Sequence, residues 1–272
     1  MGFFAGILSH DWKMLTAKNS IRPKYWPIKW YYDIKSRSND KIYQKEHERY
    51  ADSIRSVSIE KDPIFILGHW RSGTTMLHNT LCKDQQFAFP SLLEAYNPHT
   101  FLTVLDKIQA DKKSQQSVKR PMDNVQVNYK SPAEDEFALS LLSLCSPVLG
   151  WAFPKNRDFY DKYLLLDDIS DEEAERWHSA LRFLMKKLTF KYNKQLVLKS
   201  PQHTARIKQI LQIFPNAKFV HFRRNPYDVF KSTLELYTKT VRSLSFQAAA
   251  NNNVEDYIIK TYRTLYAKFL AE

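Results

Sequence analysis

The chain has 272 residues, of which 43% are hydrophobic and 14% aromatic, and its 41 Lys and Arg against 29 Asp and Glu give a formal net charge of +12. This content can bury one large core, while the lack of any 18-residue apolar run excludes a spanning helix of ordinary length. Two cysteines, Cys82 and Cys145, have neither metal-ligand spacing nor the density of a disulfide scaffold. We therefore expect a soluble, cytoplasmic protein, whose charge suits a polyanionic cofactor, a nucleic acid or an anionic membrane.

Residues 1–60 are predicted to form a basic and aromatic arm ahead of an α/β domain at 61–272. The interleaved side chains are Trp12, Tyr25, Trp26, Trp30, Tyr31 and Tyr32 with Lys13, Lys18, Arg22, Lys24, Lys29 and Lys35. Such a pattern permits peripheral contact with a membrane or with single-stranded nucleic acid. Because no amphipathic period is evident, we expect the aromatic rings to pack on the core instead.

Residues 63–75 predict a buried strand, a glycine-bearing loop and the start of a helix. Gly68 and Gly73 have the spacing of the nucleotide-binding G-x-x-x-x-G-K-[ST] loop, but Thr74 occupies the lysine position, which argues against an ATPase or GTPase. The loop should still bind an anion through inward N–H groups and the positive end of the helix. Arg71 supplies positive charge. The hydroxyl donors are Ser72, Thr74 and Thr75.

Further along the chain, short apolar runs alternate with helical patterns, which predicts crossover connections and a mainly parallel sheet. The predicted strands are 64–67, 87–89, 195–198 and 217–222. Ser170 and Glu173 form a predicted capping box ahead of a long helix. Residues 254–270 form a second predicted helix, and the polar stretches 111–120 and 247–253 are predicted loops. Ligands of such sheets sit beyond the carboxyl ends of the strands.

A second candidate anion site follows the strand predicted at 217–222. Asn225 can cap a helix and Pro226 suits its first turn. Ser232 then lies roughly 10 Å along the helix axis, at about 1.5 Å per residue. Arg224 and Ser232 could therefore hold opposite sides of one phosphate.

The segment Arg-Ser-Gly-Thr-Thr at 71–75 resembles the 5′-phosphosulfate loop of sulfotransferases that use 3′-phosphoadenosine 5′-phosphosulfate (PAPS), in the branch with arginine where cytosolic members have lysine. The segment around Arg224 and Ser232 resembles the family's second signature, which holds the 3′-phosphate. Lys199-Ser-Pro is similar to the Lys-x-Pro segment of tyrosylprotein-type members, whose lysine contacts the sulfate region. The resemblance extends from about Pro63 to Tyr237.

The resemblance implies a P-loop-like three-layer α/β fold, with a mainly parallel central sheet flanked by helices, and PAPS as donor without a metal. The residues implied to bind PAPS are Gly68, Arg71, Ser72, Gly73, Thr74, Thr75, Arg224 and Ser232. The residues implied to act in transfer are Arg71, Glu94, Lys199 and Glu136.

The identity of the base rests on the same resemblance. Glu94 is expected to be the base, because related sulfotransferases have a glutamate after the first helix and second strand. Glu134, Asp135 and Glu136 resemble a Pro-x-Glu-Asp-Glu segment of bacterial members, and Glu136 is expected to bind substrate or serve as an alternate base. Ser131 with Glu134 reads as a capping box, which explains Glu134 without catalysis.

We therefore expect a PAPS-dependent sulfotransferase that acts on a hydroxyl or amine of a small molecule, carbohydrate, lipid or peptide. The alternatives are a divergent P-loop kinase or NTPase, and a non-enzymatic nucleic-acid or membrane-binding module. No nucleic-acid partner is expected, whereas peripheral membrane contact through the arm is allowed. The resemblance also implies that longer relatives continue beyond the position of Glu272, so the sequence is interpreted as a C-terminally shortened form.

Overall fold

A computed structural model describes residues 2–110, 116–120, 125–248 and 253–272. The helices are α1 (Ser9–Lys18), α2 (Trp26–Arg55), α3 (Thr74–Leu81), α4 (Leu92–Tyr96), α5 (Phe101–Ala110), α6 (Glu136–Ser143), α7 (Leu149–Ala152), α8 (Arg157–Asp161), α9 (Asp171–Tyr192), α10 (Ile207–Ile213), α11 (Pro226–Leu236), α12 (Arg242–Leu244) and α13 (Val254–Ala271). The strands are β1 (Ile64–Leu67), β2 (Phe87–Ala88), β3 (Val118–Lys119), β4 (Gln126–Val127), β5 (Gln195–Lys199) and β6 (Lys218–His221). Short 3₁₀ segments cover Pro23–Tyr25, Pro154–Asn156, Lys162–Leu164 and Pro201–Ala205, and a π-helical turn covers Tyr237–Val241.

Four strands form a parallel sheet in the order β2-β5-β1-β6. The register pairs Ile66 with Lys199 and Leu67 with His221, so the carboxyl ends of the three longer strands meet at one edge. The predicted strands and the parallel sheet are therefore confirmed. Apolar side chains on β1 and β5 are buried because helices cover both faces of such a sheet.

The second sheet is an antiparallel pair of β3 and β4, and it corrects one prediction. Val118–Lys119 lies inside the predicted 111–120 loop but forms a strand. Of the loops predicted at 111–120 and 247–253, residues 111–115 and 249–252 lie outside the described residues, as do residues 121–124 between β3 and β4.

The long helix α9 begins where its sequence predicts. Ser170 Oγ accepts from the Glu173 N–H, and the Glu173 carboxylate accepts from the Ser170 N–H, which satisfies two end groups of the helix. Trp177, Leu181 and Leu188 are fully buried along one face of α9. This helix anchors the core behind the sheet, and the predicted helix at 254–270 is likewise confirmed as α13.

Residues 9–55 form helices α1 and α2, which the 3₁₀ segment Pro23–Tyr25 connects. The Phe4, Trp12 and Tyr32 rings pack together and contact Phe153 and Phe246 of the core. The expectation that arm aromatics pack on the core is confirmed for Trp12 and Tyr32.

Other aromatic rings of this region correct that expectation, since Trp26, Trp30 and Tyr31 of α2 are exposed. Within the described part of the chain, none of the helices has the combined length and hydropathy of a bilayer-spanning helix.

Candidate active site

The loop between β1 and α3 has the backbone that its glycines predict. Gly68 and Gly73 have φ angles of 145° and 103°, and a Cβ at Gly68 would approach the Phe222 carbonyl oxygen to 2.4 Å. Only glycine fits there, because side chains are strained at these φ values and no space exists for a methyl group. Arg71 also has a positive φ of 67°. A non-glycine residue in this conformation costs about 1–2 kcal/mol, so the loop holds Arg71 at an energetic cost.

Two of the predicted donors in this loop bond to the protein itself. Ser72 Oγ donates to the His69 carbonyl at 2.7 Å, and the Gly68 N–H donates to Thr204 Oγ at 2.7 Å. Both contacts set the shape of the loop. Thr74 and Thr75 form the first turn of α3, where helix N–H groups lack intrahelical partners.

Arg71 and Ser232 bring the two anion-binding segments together. Arg71 Nε donates to Ser232 Oγ at 2.9 Å, although 161 residues separate them. Phe222, at the end of β6, lies against Gly73 and donates its N–H to the Leu67 carbonyl at 2.9 Å. The expected convergence of the two segments at the carboxyl edge of the sheet is therefore present.

Arg224 lies on the surface near the start of α11. Its Nε is 3.5 Å from the Asp228 carboxylate, and nearly half of its side chain is exposed. Asn225 accepts from the Tyr227 N–H and caps α11, as the sequence predicts. Arg224 is thus available to an anion at the same end of the sheet that carries Arg71.

Lys199 ends β5 and is nearly buried. Its Nζ donates to Glu134 at 2.7 Å and lies 3.5 Å from Thr75 Oγ on the first turn of α3. The Glu134 side chain keeps 20% of its surface exposed, against 3% for Lys199. A cation, a carboxylate and a hydroxyl therefore meet beside the loop.

The predicted capping box at Ser131 is wrong. Residues 131–133 pair with 90–92 through backbone hydrogen bonds, including a bridge between Ser91 and Pro132, and helix α6 begins at Glu136. This pairing frees the Glu134 side chain from a capping role. It also places three consecutive acids opposite the segment that follows β5.

All three acids bond to side chains of residues 199–206. Glu134 pairs with Lys199, and Asp135 accepts from His203 Nε2 at 2.5 Å and from Ser200 Oγ at 2.9 Å. The Glu136 N–H donates to Ser200 Oγ at 2.9 Å, and its carboxylate pairs with Arg206. Thr204, in the same segment, contacts Gly68. Residues 199–206 thus connect the acids to the loop.

Glu136 is fully buried, which does not support its predicted role in substrate binding. Arg206 donates to both carboxylate oxygens at 2.7 and 3.1 Å, and Ser146 Oγ donates at 2.6 Å. The Arg206 guanidinium also donates to the Leu164 and Tyr163 carbonyls. All of these contacts stabilise the fold, and none leaves an oxygen facing open space.

We predict that Glu136→Gln lowers the free energy of unfolding by about 3–5 kcal/mol, because it leaves the Arg206 guanidinium buried without its counter-charge. Urea unfolding followed by circular dichroism measures the change. The matched control is Glu172→Gln, at an exposed carboxylate 3.8 Å from Arg176, where the expected change is within about 0.5 kcal/mol. Equal losses in the two variants would contradict the buried pair.

Glu94 is also fully buried, and its carboxylate has several partners. One oxygen accepts from the Ser91 N–H at 2.6 Å in the capping box of α4. The other accepts from Lys191 Nζ and from the Tyr192 hydroxyl, both at 2.7 Å. Glu94 therefore caps α4 and connects it to α9. Its carboxylate bonds to side chains of α9 and not to Lys199.

Two histidines near the site have low pKa values because burial disfavours their charged form. Burial lowers the pKa of His69 to about 4, although a hydrogen bond to the Trp70 carbonyl opposes the shift. Burial and the nearby Lys199 lower the pKa of His78 to about 3. Both rings are therefore neutral at pH 7 and add no positive charge to the site.

The donor groups around the loop suit an anion bearing phosphate or sulfuryl oxygens. Arg71, Lys199, Thr75 and the N-terminus of α3 all present N–H or O–H groups. Among the described residues, no group of three or more His, Cys, Asp or Glu is placed to hold a metal ion. The prediction of metal-free chemistry remains a prediction.

Sequence reasoning missed Glu134 as a site residue, together with the roles of Asp135, Thr204 and Arg206. The signal present was the order of residue types, with acids at 134–136 and basic residue types at 199, 203 and 206. That order has no helical or strand period, so only the fold reveals the pairing.

The site thus combines a glycine-containing loop, between a parallel strand and a helix, with a second segment that contains Arg224 and Ser232. Arg71 of the loop bonds to Ser232 of that segment. The model of the Sulfotransferase family matches residues 63–272, and the chain belongs to that family. It is 33% identical over 259 residues to the omega-hydroxy-beta-dihydromenaquinone-9 sulfotransferase Stf3 of Mycobacterium bovis and of Mycobacterium tuberculosis. The match covers 94% of this chain and 66% of those relatives, so the chain spans slightly less than two thirds of their length.

Two solved structures share the fold. Sulfotransferase STF1 from Mycobacterium tuberculosis superposes with a TM-score of 0.64 at 16% identity, over 97% of this chain and 74% of that one. Sulfotransferase STF9 from Mycobacterium avium superposes with a TM-score of 0.64 at 18% identity, over 98% of this chain and 75% of that one. The predicted P-loop-like α/β fold is confirmed by these likenesses.

Proposed function

We propose that this protein transfers a sulfuryl group from PAPS to a hydroxyl or amine of an acceptor. The observation that carries the proposal is the 2.9 Å contact between Arg71 and Ser232, which joins the two segments expected to hold the donor. Family membership supports the same reaction class. A kinase or NTPase is not favoured, since Thr74 stands where the nucleotide-binding loop needs lysine.

The donor would be held by two groups of residues. Gly68, Gly73 and the first turn of α3 would surround its 5′-phosphosulfate, while Arg224 and Ser232 would hold its 3′-phosphate. When bound, PAPS supplies an activated sulfuryl group. Ser232 accepts a hydrogen bond from Arg71, and its own O–H proton is therefore able to donate to a phosphate oxygen.

Arg71 and Lys199 would provide the electrostatic stabilisation. Negative charge accumulates on the leaving phosphate oxygen during transfer, and fixed cations stabilise that charge in a site with little water. Lys199 is 3% exposed, so its interaction with such an oxygen is weakly screened. Its contact with Thr75 aligns it with the start of α3.

Glu134 is our choice for the base, in place of Glu94 and Glu136. The base must reach the acceptor proton, directly or through one water. Glu94 and Glu136 are fully buried and bonded on both oxygens, whereas Glu134 is partly exposed beside Lys199. Its carboxylate would take the acceptor proton as the sulfuryl group moves.

For the acceptor we propose a hydroxylated lipid-like molecule. This proposal rests on the Stf3 relatives, which are named as sulfotransferases of an omega-hydroxy-beta-dihydromenaquinone. A cytoplasmic location at the inner face of a membrane would fit both such an acceptor and PAPS. Carbohydrate and peptide acceptors remain the competing classes from the sequence.

Titration calorimetry with 3′-phosphoadenosine 5′-phosphate tests the proposal. We expect saturable binding of one nucleotide per chain without added Mg²⁺. Incubation with ³⁵S-labelled PAPS and a lipid extract of the host should then give a labelled, solvent-extractable product. Absence of nucleotide binding, or Mg²⁺-dependent ATP turnover, would overturn the proposed function. Label in a water-soluble product would replace the acceptor class only.

A further inference from the structure

Helix α2 departs from the pattern expected for a surface helix, because three of its five buried residues are polar. Its buried positions include the polar residues Ser36, Asn39 and Glu46. Asn39 donates to the Ala5 and Ile7 carbonyls, and Glu46 forms a buried ion pair with Lys187. Polar contacts therefore attach the inner face of α2 to the protein, while several of its large apolar side chains are outside.

The exposed apolar side chains form one continuous patch. Trp26, Trp30, Tyr31 and Ile34, here called the aromatic patch, are 51%, 64%, 57% and 70% exposed. Trp30, Tyr31 and Ile34 follow Trp26 by four, five and eight residues. This spacing places all four on one side of the helix, over about 12 Å of its length. Scattered apolar residues are normal on a surface, but a contiguous group of large ones marks an interaction site.

Basic residues surround this patch. Residues 22–45 contain seven Lys and Arg but only two acids, Asp33 and Asp40. Both acids bond to α1: Asp33 accepts from Trp12 Nε1 at 2.8 Å, and Asp40 from the Ser9 N–H at 2.9 Å. Asp33 also pairs with Lys29, and the remaining Lys and Arg leave this surface with a net positive charge. Arg37 and Lys41, both exposed, continue the same helix face beyond the patch.

We propose that the aromatic patch, with Arg37 and Lys41, docks on an anionic lipid bilayer. Trp and Tyr side chains are favoured at the level of lipid headgroups, and flanking Lys and Arg are attracted to anionic lipids. Ile34 fits a bilayer better than a nucleic acid, since an aliphatic side chain offers a base nothing to stack on. The face lies in residues 1–60, outside the segment matched by the family model.

This inference does not depend on sulfuryl transfer, because its readout is binding to vesicles. The full chain is mixed with vesicles of equal parts phosphatidylglycerol and phosphatidylcholine, or of phosphatidylcholine alone, and sedimented. We expect preferential binding to the anionic vesicles that weakens as salt rises. Brominated lipids should quench the fluorescence of Trp26 and Trp30, while Trp12 and Trp177 are buried in the core.

Two double variants separate the apolar and electrostatic contributions. Trp30→Ser with Ile34→Ser should reduce vesicle binding by at least about tenfold. The two serines gain little free energy on transfer from water to the bilayer, whereas the apolar side chains that they replace gain more. Arg37→Gln with Lys41→Gln should reduce it by about 25-fold at low salt, at roughly fivefold per charge. The matched control is Leu270→Ser, at an exposed leucine of α13, which should bind like the wild type.

Several results would overturn the inference. They include equal binding to neutral and anionic vesicles, and wild-type binding by the Trp30→Ser, Ile34→Ser variant. A solution mass of twice 32.2 kDa that this variant halves would identify a second copy as the occupant. Binding of an oligonucleotide that the variant loses, with vesicle binding retained, would assign the face to nucleic acid.

Discussion

Replacing Arg71 with glycine is expected to lower the rate of sulfuryl transfer by about 100- to 1,000-fold, because it would remove the cation proposed to stabilise the leaving oxygen. The same change should leave the free energy of unfolding within about 1 kcal/mol of the wild type. Glycine adopts the φ of 67° at this position without strain, which offsets the lost contact with Ser232. Transfer of ³⁵S label and urea unfolding measure the two quantities.

Controls for Arg71 separate its role from that of general positive charge. Arg242→Ala makes the same change in net charge at an exposed position of α12 and should leave transfer unchanged. Arg224→Ala should instead weaken binding of 3′-phosphoadenosine 5′-phosphate, measured by calorimetry, more than it lowers the transfer rate. If Arg71→Gly abolished nucleotide binding and Arg224→Ala affected only transfer, the two roles would be reversed.

Glu134→Gln is expected to lower kcat by about 100- to 10,000-fold, since the acceptor would lose its general base. The substitution keeps the size of the side chain but removes its capacity to take a proton. A second variant, Glu134→Ala, leaves space for a small carboxylate, and added formate should restore part of its activity. Steady-state kinetics at saturating PAPS give the comparison.

Glu94→Gln is the matched comparison for the base, because it makes the same chemical change at the carboxylate that the sequence favoured. We expect it to lower stability more than kcat, since Glu94 accepts from Lys191, Tyr192 and the Ser91 N–H. A large loss of kcat in a stable Glu94→Gln protein, with an active Glu134→Gln protein, would return the base to Glu94.

The acids at 134–136 have two different roles within one short segment. Two of them stabilise the fold, and the third is the proposed base. Asp135 and Glu136 bond to His203 and Arg206 in the interior, and these buried contacts fix the backbone next to Glu134. The partly exposed Glu134 is therefore held against Lys199 by two neighbours that are fully buried. This arrangement explains why three similar residues should respond differently to the same substitution.

The amino-acid sequence was sufficient for features that depend on neighbouring residues. The strand at 64–67, the glycines of the loop and the cap at Asn225 follow from local sterics and hydrogen bonding, and the structure reproduces them. The meeting of two segments at one sheet edge was also predictable, because parallel strands place their carboxyl ends together.

Features that depend on distant residues were decided only by the tertiary structure. The segment from Ser131 to Glu134 predicts a capping box, but residues 131–133 pair with 90–92 instead, and a capping box forms at Ser91 and Glu94. Glu134 thereby meets Lys199, 65 residues away. The buried polar residues Asn39 and Glu46 of α2 and its exposed aromatic rings were likewise unreadable from periodicity, because the partners of both buried groups come from elsewhere in the chain. Local rules determine which conformations a segment favours, whereas burial and charge pairing between remote segments select the one that folds.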